Sequence, residues 1–162
     1  MKAITSLSVL ALLLLTVPAV AQNYDWSNVG SVGSIQAGIG HNFIGPSFTF
    51  APTRTGTLTT RYNITNTVGG AIDKSPPWTT CSMAYTDNSS SGQLNLRLVQ
   101  VDKCSNAETI ICTIMSQDNG SCDTCTFTNN TIDFANNFYY IQTNITRTST
   151  SATVQLHSVA MN

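Results

Sequence analysis

NFYYIQTNITRTSTSATVQLHSV, residues 137–159, decides the fold. In 137–146, Tyr139, Ile141 and Ile145 fall on one side of an extended chain. In 151–159, Ala152, Val154 and Leu156 do the same. A period of two marks a strand with one buried face. The segment between them, RTSTS, is polar and reads as a turn.

The same alternation runs back through the chain. SFTFA (47–51) leads to GTLTTRYNIT (56–65), where Leu58, Tyr62 and Ile64 share a face. WTTCSMAYT (78–86) points Cys81, Met83 and Tyr85 inward, and GQLNLRLVQV (92–101) does so with Leu94, Leu96 and Leu98 while Arg97 goes to solvent. ETIICTIMS (108–116) aligns Ile110, Cys112 and Ile114. Gly69-Gly70 and Pro76-Pro77 punctuate the series. No stretch has the period of an amphipathic helix. Short strands separated by polar turns predict an all-β antiparallel sandwich, of jelly-roll type. An immunoglobulin-like sandwich wants a buried Trp between two bridged cysteines, and Trp78 precedes every cysteine here.

The ends of the chain read differently. Residues 1–21 have a charged start, an apolar run from Leu7 to Val17 and the small-residue site Ala19-Val20-Ala21. These are the parts of an export signal, and the apolar run is short for a membrane span. The expectation is a secreted protein, extracellular or periplasmic, with a mature chain from Gln22 and no membrane anchor. Residues 22–46 are Gly-rich and without a stable period, and read as an irregular arm or a weak first strand, with Trp26 and Ile35 tucked against the body. Residues 47–162 form the sandwich domain.

Loss of Lys2 with the leader leaves six basic residues against eight acids, a charge near −2. That balance supplies no basic stripe to neutralise phosphates, so no nucleic-acid partner is expected. Solubility rests largely on Thr, Ser and Asn. Asn63, Asn88, Asn119, Asn129 and Asn144 open Asn-x-Ser/Thr sequons, which matter only in a host that glycosylates them.

Five cysteines, Cys81, Cys104, Cys112, Cys122 and Cys125, lie in the exported part, where disulfides form readily. An odd number leaves one free or paired with another chain. Facing suggests Cys81 with Cys112, and Cys104 with Cys122 or Cys125. Cys122-x-x-Cys125 lacks the helix N-terminus that activates a redox pair, and one close pair falls short of a usual zinc site.

Catalytic patterns are absent as motifs. There is no Gly-x-Ser-x-Gly and no His-Glu-x-x-His. His41 and His157 have no carboxylate near them in sequence, and His157 is expected to face solvent. The carboxylates, including the single glutamate Glu108, scatter over turns without a privileged pair for glycoside hydrolysis. Asp118, Asn119, Gly120, Asp123 and Asp133 offer oxygen ligands for calcium, with Asp87-Asn88 as a poorer set. Asx-rich turns form such groups without a metal, so no metal or cofactor is assigned.

Aromatic residues supply the functional lead. Phe138 and Tyr140 face away from the core by the alternation above, and Trp78 stands at a loop–strand junction. Flat rings on a sandwich surface stack on sugar rings or anchor a protein partner. The expected ligand site is therefore Trp78, Phe138 and Tyr140, with hydrogen bonds from Asn136 and Asn137. The function expected is non-catalytic binding of a polysaccharide or cell-surface component. The alternative is a structural subunit that self-associates through its odd cysteine and Gly-rich arm.

Overall fold

The computed structural model describes residues 26–37, 40–65, 67–68, 71–72, 75–128 and 131–162. The leader, Gln22 and the Asn129 sequon lie outside the described residues. Among the described residues thirteen strands follow one another: β1 (Trp26–Val29), β2 (Ser34–Ala37), β3 (His41–Ile44), β4 (Ser47–Phe50), β5 (Gly56–Ile64), β6 (Thr67–Val68) and β7 (Ala71–Ile72). Then come β8 (Thr80–Asp87), β9 (Gly92–Asp102), β10 (Glu108–Met115), β11 (Cys122–Thr126), β12 (Asn137–Arg147) and β13 (Val154–Met161).

They form two antiparallel sheets and a small ribbon of β6 and β7. One sheet runs β11-β8-β13-β4-β3, with β1 also paired to β13; the other runs β10-β9-β12-β5-β2. From β4 onward, leaving aside the ribbon, the chain changes sheet at every step (β4 to β5, β5 to β8, β8 to β9, β10 to β11, β11 to β12 and β12 to β13) except the hairpin of β9 and β10. That alternation is the wiring of a jelly roll. The two closing strands thus lie in opposite sheets, with the polar RTSTS turn carrying the chain across the end of the sandwich.

The inward residues meet as the alternation requires. Leu58, Tyr62, Leu94, Leu96, Leu98, Ile141, Ile145, Val154 and Leu156 close one core with Cys81, Met83 and Tyr85. β10 departs from expectation. A bulge between Ile110 and Cys112 inserts a residue against β9, so Cys112 and Ile114 stay inward while Ile110 turns to solvent.

Residues 22–46 contain β1, β2 and β3 rather than irregular chain alone. Trp26 packs against the core, whereas Ile35 is exposed. Between β1 and β2 a 3-10 turn, Gly30–Val32, crosses from one sheet to the other. The buried Tyr62 hydroxyl donates to the Gly30 carbonyl at 2.6 Å. A side chain at Gly30 would collide with the Leu156 carbonyl, so this crossing needs glycine.

Cys112 and Cys125 form a disulfide, in place of the pairings expected from facing. Each lies on an edge strand, β10 in one sheet and β11 in the other, so the bridge joins the two sheets at one side. Cys81 is the register partner of Cys125 one strand further in, and is buried as a thiol. Burial pushes that thiol up to about 12, which keeps it protonated and unreactive at neutral pH. Cys104, in the β9–β10 turn, and Cys122 are exposed thiols.

Candidate ligand-binding face

The outward side of the five-stranded sheet carries the aromatic residues of the sequence lead together with a band of long polar side chains. Strand register lays these out in rows. Ser34, Arg61, Gln142, Arg97 and Thr113 lie opposite one another across all five strands. Two residues along, the row is Thr59, Asn144, Asn95 and Met115. In the other direction come Asn63, Tyr140, Val99 and Ile110, then Phe138, Val101 and Glu108.

Neighbouring side chains in these rows bond to one another. Arg61 Nη2 and Nε donate to Gln142 Oε1 at 3.3 and 3.4 Å. Thr59 Oγ1 donates to Asn144 Oδ1 at 2.8 Å, and Thr57 and Thr146 hydroxyls lie 3.2 Å apart. The Arg61 guanidinium sits 4.4 Å above the Tyr140 ring, a cation–π contact. Asn95 Oδ1 is shielded from solvent and has no hydrogen-bond partner among the described residues. An unsatisfied amide oxygen of this kind is uncommon in a settled structure.

The five residues expected to make the site divide between surface and interior. Phe138 projects outward and is 61% exposed, with Lys103 Nζ 5.0 Å from its ring centroid. Tyr140 also faces outward but is 8% exposed, because Arg61 covers it and its hydroxyl donates to Glu108 Oε1 at 3.0 Å. Burial, and then the bond to Glu108, raise its pKa.

Trp78 is 1% exposed and packs edge-on to Phe134, itself edge-on to Tyr139. It belongs to the core and is withdrawn from the surface. Trp78 precedes β8, so strand alternation does not govern its direction, and the chain after Pro77 folds its ring under the sheet. Asn137 is buried: it accepts from Gln100 Nε2 at 2.9 Å, and its Nδ2 donates to the Asp133 carbonyl at 3.2 Å. Asn136 is exposed beside Phe138, with its Nδ2 donating to Asp133 Oδ2 at 2.7 Å. The Asn136 bond and a backbone bond from Ala135 lower the Asp133 pKa.

Arg61, Gln142, Asn144 and Asn95 were not singled out by sequence reasoning. Their signal was present as the outward half of the alternation. It acquires meaning only once register shows which of these residues are neighbours.

At the far end of the face, beyond Gln93 and Thr146, lies an open cleft of about 280 Å³ lined also by Ser90, Ser91, Asp118 and Thr148. Ser116 forms part of its floor. Its hydroxyl accepts from the Leu94 amide at 2.8 Å and donates to the buried Asp87 carboxylate at 2.6 Å. The acidic residues of the calcium expectation do not converge. Tyr85 donates to Asp123, Asp133 bonds within its own turn, and Asp118 stands in the cleft. Among the described residues no three His, Cys, Asp or Glu side chains group to hold a metal ion. His157 is bracketed by Ser47 at 2.6 Å and Thr86 at 2.8 Å on the other sheet, rather than open to solvent.

No helix among the described residues is long and apolar enough to cross a membrane. No protein-family model matches the chain, and no curated protein matches it. Among solved structures, a family two carbohydrate esterase from Cellvibrio japonicus aligns with 85% of this chain at 14% identity and a TM-score of 0.41. A glycosylation-associated protein complex (Gap123) from Streptococcus agalactiae aligns with 85% at 10% identity and 0.43. The chain spans 33% and 25% of those two chains. A structure described as "CBM4 structure and function" aligns with 86% of this chain and 83% of its own, at 10% identity and 0.33. None of these likenesses bears on the residues of the face.

Proposed function

We propose that the protein is a secreted, non-catalytic β-sandwich that binds a glycan on the outward face of its five-stranded sheet. The observation that carries this reading is the band of amide, hydroxyl and guanidinium groups across the rows of Thr57, Thr59 and Arg61, with the exposed ring of Phe138 two rows beyond. Such groups satisfy sugar hydroxyls as donors and acceptors, while a flat ring stacks on the apolar side of a pyranose. The existing side-chain bonds position these groups and are themselves exchangeable, since each contributes only about 1 kcal/mol in water. The dispersal of carboxylates supports a role without catalysis: Glu108 is held by Tyr140, and Asp118 lies at the opposite end of the face. The secreted location rests on the composition of residues 1–21.

Retention of the purified protein on a panel of soluble and insoluble polysaccharides tests the reading, with Phe138→Ala and Gln142→Ala alongside. At least one glycan should retain the native protein and release both folded variants. Failure of every glycan to retain folded protein overturns it.

A second reading, self-assembly as a surface or matrix subunit, is favoured by one observation. Exposed Cys104 and Cys122 thiols stand ready to pair between chains. A disulfide-linked dimer on a non-reducing gel, lost in Cys104→Ser or Cys122→Ser, supports it.

A further inference from the structure

The polar band is uneven in charge, and this bears on the class of glycan. Arg61 and Arg97 flank Gln142 in the central row, on strands either side of β12. Two strand spacings separate their backbones by about 10 Å. Neither guanidinium has a carboxylate within ion-pair distance among the described residues. Arg61 contacts the Tyr140 ring and Gln142 instead. Because Arg61 occupies the Gln142 amide oxygen, the Gln142 amide nitrogen is left to donate elsewhere.

The surrounding rows are uncharged. Thr57, Thr59, Asn63, Asn95, Asn144 and Thr146 surround the pair of arginines. Glu108 lies at the edge strand with its carboxylate held by Tyr140, and Asp118 lies in the end cleft. In a chain of net charge −1 with seven basic residues, two unpaired guanidinium groups therefore occupy the middle of one face. Water is a sufficient partner for an exposed arginine, but both of these are half-buried among polar neighbours. A planar guanidinium presents a fork of N–H donors that matches carboxylate or sulfate oxygens in pairs.

We propose that this face takes an acidic glycan, with Arg61 and Arg97 each gripping a carboxylate or sulfate along one polysaccharide chain. Gln142 donates to the chain between them, and Phe138 stacks on a ring at the aromatic end. This proposal rests on the glycan-binding reading above and narrows it to a charge class. Arg97 has the clearer role. Arg61 also shields Tyr140, so its removal alters the platform as well as the charge.

The test compares polysaccharides that share a backbone and differ in charge. Titration calorimetry of the full secreted protein would use polygalacturonate against its methyl-esterified form, and dextran sulfate against dextran. The expected result is binding at least about tenfold tighter to an acidic form than to its neutral partner, weakening as salt is added. Preference for polygalacturonate identifies carboxylate as the recognised group, and preference for dextran sulfate identifies sulfate. Arg97→Gln should lose about tenfold in affinity for the acidic form with an unchanged melting curve. Arg97→Lys should recover part of that loss, as charge without the fork. Arg61→Gln should weaken binding too, with a circular dichroism spectrum confirming its fold.

Equal binding to the charged and neutral forms would overturn the acidic preference and leave the glycan-binding reading standing. Undiminished binding by folded Arg97→Gln would likewise overturn the assignment of the grip. Binding to none of these polymers or to any other glycan would overturn both.

Discussion

The five-stranded sheet presents two different surfaces from one backbone. On the inward side of β12, Tyr139, Ile141, Thr143 and Ile145 are buried against the facing sheet. On the outward side of the same strand, Gln142, Asn144 and Thr146 bond sideways to residues of β5, and Tyr140 reaches past β9 to Glu108 on β10. The inward side removes apolar area from water, which holds the fold together. The outward side exchanges water for modest side-chain hydrogen bonds, each worth little to stability. One side thus fixes the structure, and the other holds groups that a ligand can engage without unfolding anything.

Mutations on the two sides should therefore separate stability from binding. Trp78→Ala opens a large cavity in the core and should cost about 3–5 kcal/mol in urea denaturation. A loss below about 1 kcal/mol would show that this ring is not a core element. Replacing both Cys112 and Cys125 with alanine should lower stability by about 3 kcal/mol, given the 13-residue separation the bridge closes. Binding by the folded fraction should be unchanged, because the disulfide faces away from the polar rows.

Tyr62→Phe keeps the packing and removes the hydroxyl bond to Gly30, for an expected loss of about 1 kcal/mol at neutral pH. Burial raises the Tyr62 pKa from 10.0 to about 12. The neutral phenol therefore contributes stability that is fully present below pH 10 and is lost as pH rises through about 12. Denaturation midpoints followed across that window should fall more steeply for the native protein than for Tyr62→Phe. Equal slopes would mean that the native phenol ionises as readily as a solvated one.

Phe138→Ala should have the smallest effect on stability, within about 0.5 kcal/mol, while abolishing retention on the glycan. A stability loss comparable with that of Trp78→Ala would erase the distinction between the two sides.

Much of the fold was legible because alternation is local. Leu94, Leu96 and Leu98 announce their common face without reference to any other strand, and all three are buried. The β10 bulge was not legible, since one inserted residue leaves the run of Ile110, Ile111 and Cys112 unremarkable in sequence. The disulfide was obscured for a related reason. Facing identifies inward cysteines but not which edges the topology brings together, and Cys112 and Cys125 meet across two sheets. The candidate site was legible in part. Phe138 and Tyr140 were read as outward, and they are, but Arg61 over Tyr140 depends on the pairing of β5 with β12, whose register partners Arg61 and Gln142 are 81 residues apart. Trp78 shows the limit of composition: an aromatic after two prolines looks like a surface ring, and its burial is settled by tertiary packing.

The position of the disulfide has a further consequence. Free sheet edges are where sandwiches stick to one another. Here the two sheets resemble the covers of a book whose spine is sewn along β10 and β11. The opposite margin, bounded by β2 and β3, has no such stitch among the described residues, and it carries the exposed side chains of Phe43 and Ile44. The chain itself joins that margin, passing from β2 in one sheet to β3 in the other. Reduction of the bridge would release the margin along β10 and β11, and with it an edge to offer a neighbour.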